Sequence, residues 1–297
     1  MEKIIIIGAG PAGISAALYA ARGNMDPLVI NNGIGALKKA EKIENYYGLP
    51  QPVSGEELYQ NGIIQAKNLG VRILEAQVLG LGGFDTFEVK TTEGSFEAVS
   101  VILATGSRRA TPDIPVLKSL EGRGVSYCAV CDAFFYRGKN VAVLGNTDFA
   151  LHEAEELKQS ASSVTILTNG KTPQFSKQPE MEVNTMEIRA IEGKEKVSGI
   201  RLQGEITAQG TDTGSSFLPA DGVFVAIGTA GSTEMARQMG AQLTEKGNVM
   251  VNQKMETTIP GLYAAGDCTG GLLQIAKAVS EGAQAGISAI QYVRSRK

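Results

Sequence analysis

The feature that most constrains the fold is a glycine-rich turn near the start of the chain, set between an apolar strand and a helix. Ile4–Ile7 is a β-branched run, typical of a parallel strand that is buried on both faces. The turn, residues 8–13, reads Gly-Ala-Gly-Pro-Ala-Gly, and a helical pattern follows over 14–21. In this context the first glycine makes the turn, the second lets a pyrophosphate approach and the third lets the helix pack on the strand. The motif predicts a Rossmann-like domain that binds a dinucleotide.

The second strand of this unit is predicted at Pro27–Ile30. An acidic residue that binds the adenosine ribose normally follows such a strand, whereas this chain has Asn31 and Asn32. An asparagine can still hydrogen-bond a hydroxyl group, without the charge. We therefore expect Asn31 to bind the dinucleotide.

The rest of the chain alternates apolar runs with helical patterns, as expected of an α/β protein. Further helices are predicted at 55–69, 150–158 and 274–293, and further strands at 71–74, 84–91, 99–103, 141–144, 164–167, 221–227 and 259–267. The last helix carries small residues that permit close packing on a neighbour: Ala276, Ala278, Gly282, Ala285 and Gly286.

A second strand–turn–helix unit begins at Asn140, so the nucleotide-binding architecture is repeated. Its turn, residues 145–150, reads Gly-Asn-Thr-Asp-Phe-Ala, with Thr147 where the second glycine should stand. A β-branched residue resists positive φ and puts a Cβ where a pyrophosphate would approach. The next strand ends in residues 168–170, Thr-Asn-Gly, which offer neither an arginine pair nor an acid. The second copy is therefore damaged as a nucleotide site.

Residues 128–132 read Cys-Ala-Val-Cys-Asp. Two cysteines three apart can close a small disulfide, and a helix N-terminus beside them would stabilise a reactive thiolate. The acid after them offers a proton to a thiolate released on reduction. Half of a zinc site is the alternative, but zinc needs four ligands, and Cys268 and His152 are isolated in sequence. A redox dithiol is favoured, and no metal site is predicted.

Composition limits the remaining possibilities. The 297 residues allow one large or two ordinary domains. A net charge of -3 gives no reason to expect nucleic acid or an anionic membrane as a partner. No apolar run is long enough to span a bilayer, and the chain starts directly with a strand, which leaves no room for a signal peptide. We expect a cytoplasmic enzyme, a compartment in which a CxxC is more often catalytic than structural.

Together these motifs resemble the low-molecular-weight thioredoxin reductases over most of the chain. The resemblance rests on the glycine-rich turn, on residues 128–132 and on several further motifs. These are Ile-Glu-Asn-Tyr-Tyr-Gly at 43–48, Ala-Thr-Gly at 104–106, Gly-Arg-Gly-Val-Ser-Tyr at 122–127, Phe-Phe-Tyr at 134–136, Gly-Leu-Tyr-Ala-Ala-Gly-Asp at 261–267 and Leu-Gln-Ile at 273–275.

The resemblance implies an α/β fold with two Rossmann-like nucleotide-binding domains and a homodimer. A discontinuous FAD-binding domain, residues 1–112 and 225–297, would be split by an inserted NADPH-type domain, residues 113–224, which carries the CxxC. The implied substrate is thioredoxin or a thioredoxin-like protein.

The resemblance also implies roles for individual residues. Cys128 would attack the substrate disulfide, Cys131 would face flavin C4a and Asp132 would be the acid. The residues implied to bind FAD lie in the glycine-rich turn, at strand ends and at the start of the last helix: Gly8, Gly10, Pro11, Ala12, Gly13, Asn31, Asn45, Val78, Ala104, Thr105, Gly106, Gly266, Asp267, Gln274 and Ile275.

The departures from the family pattern concern the electron donor. Members that use NADPH carry a GGGxxA-type turn and a His-Arg-Arg run, whereas this chain has the altered residues 145–150 and 168–170 and a shortened region after them. Each lost charge-assisted hydrogen bond contributes about 1.5–3 kcal/mol, so losing two or three weakens binding by a factor on the order of a thousand. We expect poor NADPH binding. The chain resembles the ferredoxin-dependent flavin thioredoxin reductases, which implies reduced ferredoxin as the donor.

Three alternatives stay open. One is a conventional NADPH-dependent thioredoxin reductase. Another is an FAD-dependent dithiol oxidase that passes electrons to oxygen; by resemblance such enzymes use histidines near the dithiol, and the sequence offers none near Cys128. The third is a non-enzymatic flavin redox sensor, against which the retention of Cys128, Cys131 and Asp132 argues, because a sensor does not need the acid.

Overall fold

The computed structural model describes residues 1–107, 112–203 and 216–296. The chain divides into two compact units, a first unit of residues 1–109 and 231–297 and a second unit of residues 110–230. The predicted boundaries, at 112/113 and 224/225, differ from these by three and six residues.

The strands and helices in chain order begin with β1 (Glu2–Ile7), α1 (Pro11–Arg22), β2 (Leu28–Asn31), α2 (Gly55–Asn68), β3 (Arg72–Glu75), β4 (Val78–Gly82), β5 (Phe87–Thr91), β6 (Gly94–Leu103), β7 (Val125–Ser126) and α3 (Ala129–Asp132). They continue with β8 (Asn140–Leu144), α4 (Asp148–Lys158), β9 (Ser163–Leu167), β10 (Glu182–Asn184), β11 (Ile188–Gly193), β12 (Val197–Leu202), β13 (Ser216–Pro219), β14 (Gly222–Val225), α5 (Ser232–Gln238), β15 (Leu262–Ala264) and α6 (Ile275–Ser295).

The first unit is built on a seven-stranded sheet with the order β3-β2-β1-β6-β5-β4, in which β15 also pairs with β6. Strand β6 is long, and its two halves pair with different strands. Its first half, from Gly94 to Ala98, pairs antiparallel with β5, and its second half, from Val101 to Leu103, pairs parallel with β15. Strands β1, β2, β3, β6 and β15 run parallel, so their carboxyl ends lie at one edge of the sheet.

The second unit contains a parallel five-stranded sheet, β10-β9-β8-β14-β7, and an antiparallel three-stranded sheet, β11-β12-β13. The dithiol helix α3 follows β7, and the turn at Gly145 connects β8 with α4. Both features therefore follow the carboxyl ends of strands that flank β14 on its two sides. The predicted α/β class with two Rossmann-like sheets is confirmed.

Several predicted elements were wrong in extent. Helix α1 begins at Pro11 rather than at residue 14, because proline suits the first helical position. The strand predicted over 84–91 is confined to β5, since Gly83 adopts a φ of 103° and starts the turn before it. The strand predicted over 259–267 is confined to β15, because Gly261 and Gly266 both adopt positive φ, and a 3-10 turn follows from Asp267 to Thr269.

Other elements were not predicted at all: β4, β7, β10, β11, β12, β13 and α5. Strand β4 reads Val-Leu-Gly-Leu-Gly, and its glycines hide the alternation that identifies a strand. Helix α5 has only seven residues, too few to show a helical period.

The first unit's core depends on close contact between α1 and α6. A Cβ added at Gly282 would lie 2.0 Å from the Ala12 carbonyl oxygen, and one added at Gly286 would lie 2.7 Å from that of Ala16. Of the small residues predicted to pack on a neighbour, Ala278, Gly282, Ala285 and Gly286 are buried, whereas Ala276 is exposed. Because Ala12 belongs to the glycine-rich turn, the same contact also supports that turn.

No helix within the described residues is both long enough and apolar enough to cross a membrane.

Gly282→Ala tests the α1–α6 contact. The added methyl group cannot fit 2.0 Å from a carbonyl oxygen, so the helices must separate. We expect the free energy of unfolding to fall by about 1–3 kcal/mol, measured by chemical denaturation. Gly62→Ala in α2 is the matched control, because its nearest neighbour, Ile14 Cγ2, lies 3.5 Å away. There we expect no loss, or a gain of up to about 1 kcal/mol. Equal destabilisation of the two variants would contradict this account.

Candidate active site

The glycine-rich turn leaves one open position in front of α1. A Cβ added at Gly8 would lie 2.4 Å from the Ala104 carbonyl oxygen, and one added at Gly13 would lie 1.8 Å from the Gly8 carbonyl oxygen. These two glycines are required by the chain's own packing. A Cβ at Gly10 would meet no atom within 4 Å. The second glycine therefore opens space for a ligand.

The N-terminus of α1 lies at this open position. Gly10 is the N-cap residue and has no side chain that could cap the first turn of the helix. Pro11, at the first helical position, has no N–H to leave unsatisfied. The remaining N–H groups of that turn, together with the helix dipole, form an anion site that fits a pyrophosphate.

Asn31 lies at the end of β2 with an unused acceptor. Its side chain is 2% exposed, and its Nδ2 donates to Tyr59 Oη at 2.6 Å and to Glu75 Oε1 at 2.8 Å. Within the described ranges, Asn31 Oδ1 has no hydrogen-bond partner. A buried acceptor without a donor fits a ligand hydroxyl such as that of a ribose.

Glu75 supplies the acidic group that the sequence lacks at the end of β2. The parallel register of β2 and β3 pairs Asn31 with Glu75. Sequence reasoning missed this residue, because 44 positions separate it from Asn31 and the register was not predictable. Val78 opens β4 three residues later, and its side chain is buried.

Two more loops reach the same edge, after β6 and after β15. Ser232 N donates to Thr105 Oγ1 at 2.8 Å, which fixes the loop that follows Ala104. Ser107 Oγ donates to Asp267 Oδ2 at 3.0 Å and so connects the two loops. Gly106 and Gly266 adopt φ angles of 85° and 86°, which only glycine adopts without strain.

The turn before Asp267 is supported by an ion pair on α6 that sequence reasoning did not identify. Lys277 Nζ donates to the Gly266 carbonyl oxygen at 2.9 Å and to the Gly270 carbonyl oxygen at 2.6 Å. It also lies 3.0 Å from Glu281 Oε2, which accepts from Gly266 N at 2.9 Å. The pair therefore holds both sides of the Gly266 peptide.

Asn45 and Gln274 are brought together although 229 positions separate them. Asn45 Nδ2 donates to Gln274 Oε1 at 3.0 Å. Gln274 is the N-cap residue of α6 and Ile275 its first helical residue. The residues predicted to bind a dinucleotide thus line the carboxyl edge of the parallel strands or its immediate surroundings, where such folds bind ligands. Their arrangement fits FAD.

The dithiol lies in the second unit as a disulfide between Cys128 and Cys131, with 5.3 Å between the Cα atoms. Cys128 is the N-cap residue of α3 and is 1% exposed, whereas Cys131 is half-buried. Cys131 N donates to Cys128 Sγ at 3.1 Å. On reduction the same N–H would stabilise a thiolate on Cys128.

Asp132 is connected to the dithiol through Ser126. Ser126 Oγ donates to Asp132 Oδ2 at 2.6 Å and accepts from Cys128 N at 3.1 Å. Burial, and then the Asp132 charge, raise the pKa of Tyr136. Sequence reasoning gave Ser126 no role of its own, although the residue lies in the motif at 122–127.

A second carboxylate reaches the dithiol helix from α4. Ala129 N, the first N–H of α3, donates to Glu153 Oε2 at 2.6 Å, and Glu153 is 1% exposed. Sequence reasoning did not single out Glu153. His152, the preceding residue, is half-buried with its Nε2 3.9 Å from Glu156 Oε1. Helix α4 therefore contacts the dithiol helix, which the sequence did not indicate.

The turn before α4 is covered by the chain itself. Residues 171–177, here called the covering segment, lie against it: Asn146 Nδ2 donates to the Thr172 carbonyl oxygen at 2.9 Å, and Gln174 N donates to the Asn146 carbonyl oxygen at 2.7 Å. Ser176 N donates to Asp148 Oδ1 at 2.7 Å, in the first turn of α4. The covering segment therefore contacts both the turn and the first residue of α4.

Two residues of this turn, Gly145 and Thr147, make close contacts within the second unit. A Cβ at Gly145 would lie 2.2 Å from the Ala226 carbonyl oxygen, so this glycine is still needed for packing. Thr147 is the N-cap residue of α4, yet its hydroxyl donates to the Gly228 carbonyl oxygen instead of capping the helix.

Cys268 is a buried free cysteine of the first unit. It is 2% exposed, and burial raises the pKa of its thiol to about 11, so the thiolate is scarce at neutral pH. In the part of the chain that the structure describes, no three histidine, cysteine, aspartate or glutamate side chains form a group that could hold a metal ion.

Comparison with known proteins identifies the family. The family model of the pyridine nucleotide-disulphide oxidoreductases matches residues 2–282. The chain belongs to this family. It is 34% identical to the thioredoxin reductase of Aquifex aeolicus, over 99% of this chain and 94% of that protein. Thioredoxin reductases at this identity confirm the resemblance, so the chain is an oxidoreductase that acts on sulfur groups and a flavoprotein with FAD as its cofactor.

Two solved structures share the whole fold. The atypical thioredoxin reductase of Desulfovibrio vulgaris Hildenborough is 38% identical, with a TM-score of 0.89 and 99% of each chain covered. The ferredoxin-flavin thioredoxin reductase of Clostridium acetobutylicum is 32% identical, with a TM-score of 0.70, covering 99% of this chain and 98% of that one.

Gly10→Ala tests the open position. Its φ of -73° suits any residue and its Cβ would meet no protein atom, so the fold of the protein without FAD should keep its stability. We expect FAD binding to weaken about tenfold or more, about 1.4 kcal/mol, because the methyl group blocks the pyrophosphate. Flavin fluorescence titration of the apoprotein measures this. Gly82→Ala is the matched control, since a Cβ there also meets no atom within 4 Å. Unchanged FAD affinity in Gly10→Ala would contradict the assignment.

Proposed function

We propose that the protein reduces thioredoxin, or a thioredoxin-like protein, through the Cys128–Cys131 disulfide, with electrons from reduced ferredoxin rather than NADPH. The observation that carries the proposal is that the dithiol and its acid are intact in a unit whose own nucleotide turn is covered. A disulfide reductase with this architecture needs FAD and a donor other than a nicotinamide nucleotide.

The covering segment supports the exclusion of NADPH. For a pyrophosphate to reach the first turn of α4, the three hydrogen bonds that hold the segment would have to break. Asp148 would then place a negative charge beside the phosphates, where a helix dipole normally offers a positive one. Thr147 adds a Cβ at the position of the missing glycine.

A ferredoxin donor is supported by similarity and by thermodynamics. One similar structure is that of a ferredoxin-flavin thioredoxin reductase. Thioredoxin has a potential near about -270 mV and a plant-type ferredoxin near about -400 mV. Two electrons that cross this gap release roughly 6 kcal/mol. The reaction is therefore downhill without a nicotinamide.

The proposed chemistry gives each cysteine the role that the family resemblance implies. FAD would accept electrons singly and supply them as a pair to the disulfide. The Cys128 thiolate, stabilised by the Cys131 N–H, then attacks a sulfur of the substrate disulfide, and a mixed disulfide forms. The substrate thiolate that leaves takes a proton from Asp132. Cys131 attacks the Cys128 sulfur, which restores the Cys128–Cys131 disulfide and releases the second substrate thiol.

Three further properties belong to the same proposal. Thioredoxin is the proposed substrate because the similar proteins are named thioredoxin reductases. The FAD-binding residues of the first unit and the dithiol of the second unit would act in a homodimer. A cytoplasmic location remains a prediction.

The donor assay tests the proposal. Under anaerobic conditions the protein is supplied with oxidised thioredoxin and with NADPH, NADH or photoreduced ferredoxin, and free thiols of thioredoxin are counted. We expect reduction with ferredoxin alone. Rapid turnover with micromolar NADPH would favour the conventional NADPH-dependent enzyme. If the protein is inactive with every donor, a separate assay in air follows, and oxidation of small dithiols by oxygen there would favour the dithiol oxidase.

Cys131→Ser is the control for the route of the electrons. The variant cannot close the disulfide, so flavin bleaching by ferredoxin should survive while thioredoxin reduction is abolished. Continued thioredoxin reduction in this variant would show that the dithiol is bypassed.

A further inference from the structure

We propose that Glu153 is a positioning residue of the dithiol: its carboxylate holds the N-terminus of α3, and its charge keeps the Cys128–Cys131 pair strongly reducing. The inference rests on the proposed function only in taking this pair as the reacting dithiol. Glu153 touches the backbone of α3 and acts on the sulfur atoms through it.

The hydrogen bond between Glu153 and Ala129 is short, and both residues are buried. Glu153 Oε2 accepts from Ala129 N at 2.6 Å, and the exposed fractions of the two residues are 1% and 0%. A carboxylate is costly to bury unless it is hydrogen-bonded, and here a backbone N–H of the dithiol helix provides the bond. The same bond fixes the first residue of α3, directly after Cys128.

A carboxylate and a sulfur atom share the start of this helix. The N–H of Ala129 points to Glu153, and the N–H of Cys131 points to Cys128 Sγ. When the disulfide is reduced, a thiolate on Cys128 places a second negative charge at the same four-residue helix. Nearby like charges disfavour ionisation, so Glu153 makes this thiolate less stable. A less stable reduced form gives a more negative potential and a stronger reductant.

The position of Glu153 on α4 gives that helix a purpose apart from nucleotide binding. The first turn of α4 is covered by residues 171–177, and Glu153 lies five residues after Asp148 on the same helix. The helix thus keeps its packing against α3 although the nucleotide turn before it is closed.

Glu153→Gln tests the charge, because the amide keeps an oxygen that accepts from Ala129 N. The FAD-loaded full chain is equilibrated anaerobically with dithiothreitol redox buffers, quenched with acid and labelled at its free thiols. We expect the equilibrium constant to shift roughly tenfold toward the dithiol, a potential about 30 mV less negative. Glu155→Gln is the matched control, since it removes an equal charge from α4 at a residue paired with Lys177 at 2.8 Å, and no shift is expected.

Glu153→Asp is the second variant and keeps the test decisive if Glu153→Gln does not fold. It draws the charge back from α3 by one methylene group, so we expect a shift of about threefold in the same direction. The proposal would be overturned if the equilibrium constants of both variants lay within twofold of the wild-type value. It would also be overturned by a shift in Glu155→Gln as large as that in Glu153→Gln, or by a larger shift in Glu153→Asp than in Glu153→Gln. The redox titration uses neither thioredoxin nor ferredoxin, so its result can be interpreted even if the donor assay fails.

Discussion

The attraction of backbone N–H groups at a helix N-terminus for negative charge is the interaction on which this molecule depends. At α1 the N-terminus is open in front of Gly10 and fits the pyrophosphate of FAD. At α4 the corresponding turn is covered by residues 171–177, with Asp148 accepting from the segment's backbone. At α3 the N–H groups hold a sulfur atom and a carboxylate. The N-termini of α1 and α3 thus use the same physical property, the first for a cofactor and the second for a redox centre.

The second unit keeps its Rossmann-like architecture, although its turn at residues 145–150 is altered and lies against the covering segment. Helix α4 contacts the helix that carries the dithiol, because Glu153 accepts a hydrogen bond from Ala129 N. Gly145 remains a glycine for packing against the Ala226 carbonyl oxygen rather than for ligand access.

Local motifs were predictable from the sequence, and contacts between distant segments were not. The turn at residues 8–13 and the stretch from Cys128 to Asp132 carry their chemistry within a few positions, so their placement before a helix or at its start followed from residue type. Glu75 and Glu153 join their sites through sheet register and helix packing, at separations of 44 and 24 positions. Contacts at such separations are set by the tertiary fold, which no local pattern encodes. The sequence indicated the covering segment only as a shortened region after residue 170.

Direct measurement of nucleotide binding tests the central claim, that the protein's second nucleotide site is closed. Isothermal titration calorimetry of the oxidised, FAD-loaded protein with NADPH, and then with NADH, reports binding without any need for turnover. The account predicts no saturable heat up to roughly 1 mM, the range expected after a thousandfold loss from micromolar affinity. A micromolar dissociation constant, with backbone amide protection that changes at residues 146–148 and 171–177, would show that the covering segment opens. That result would contradict the account.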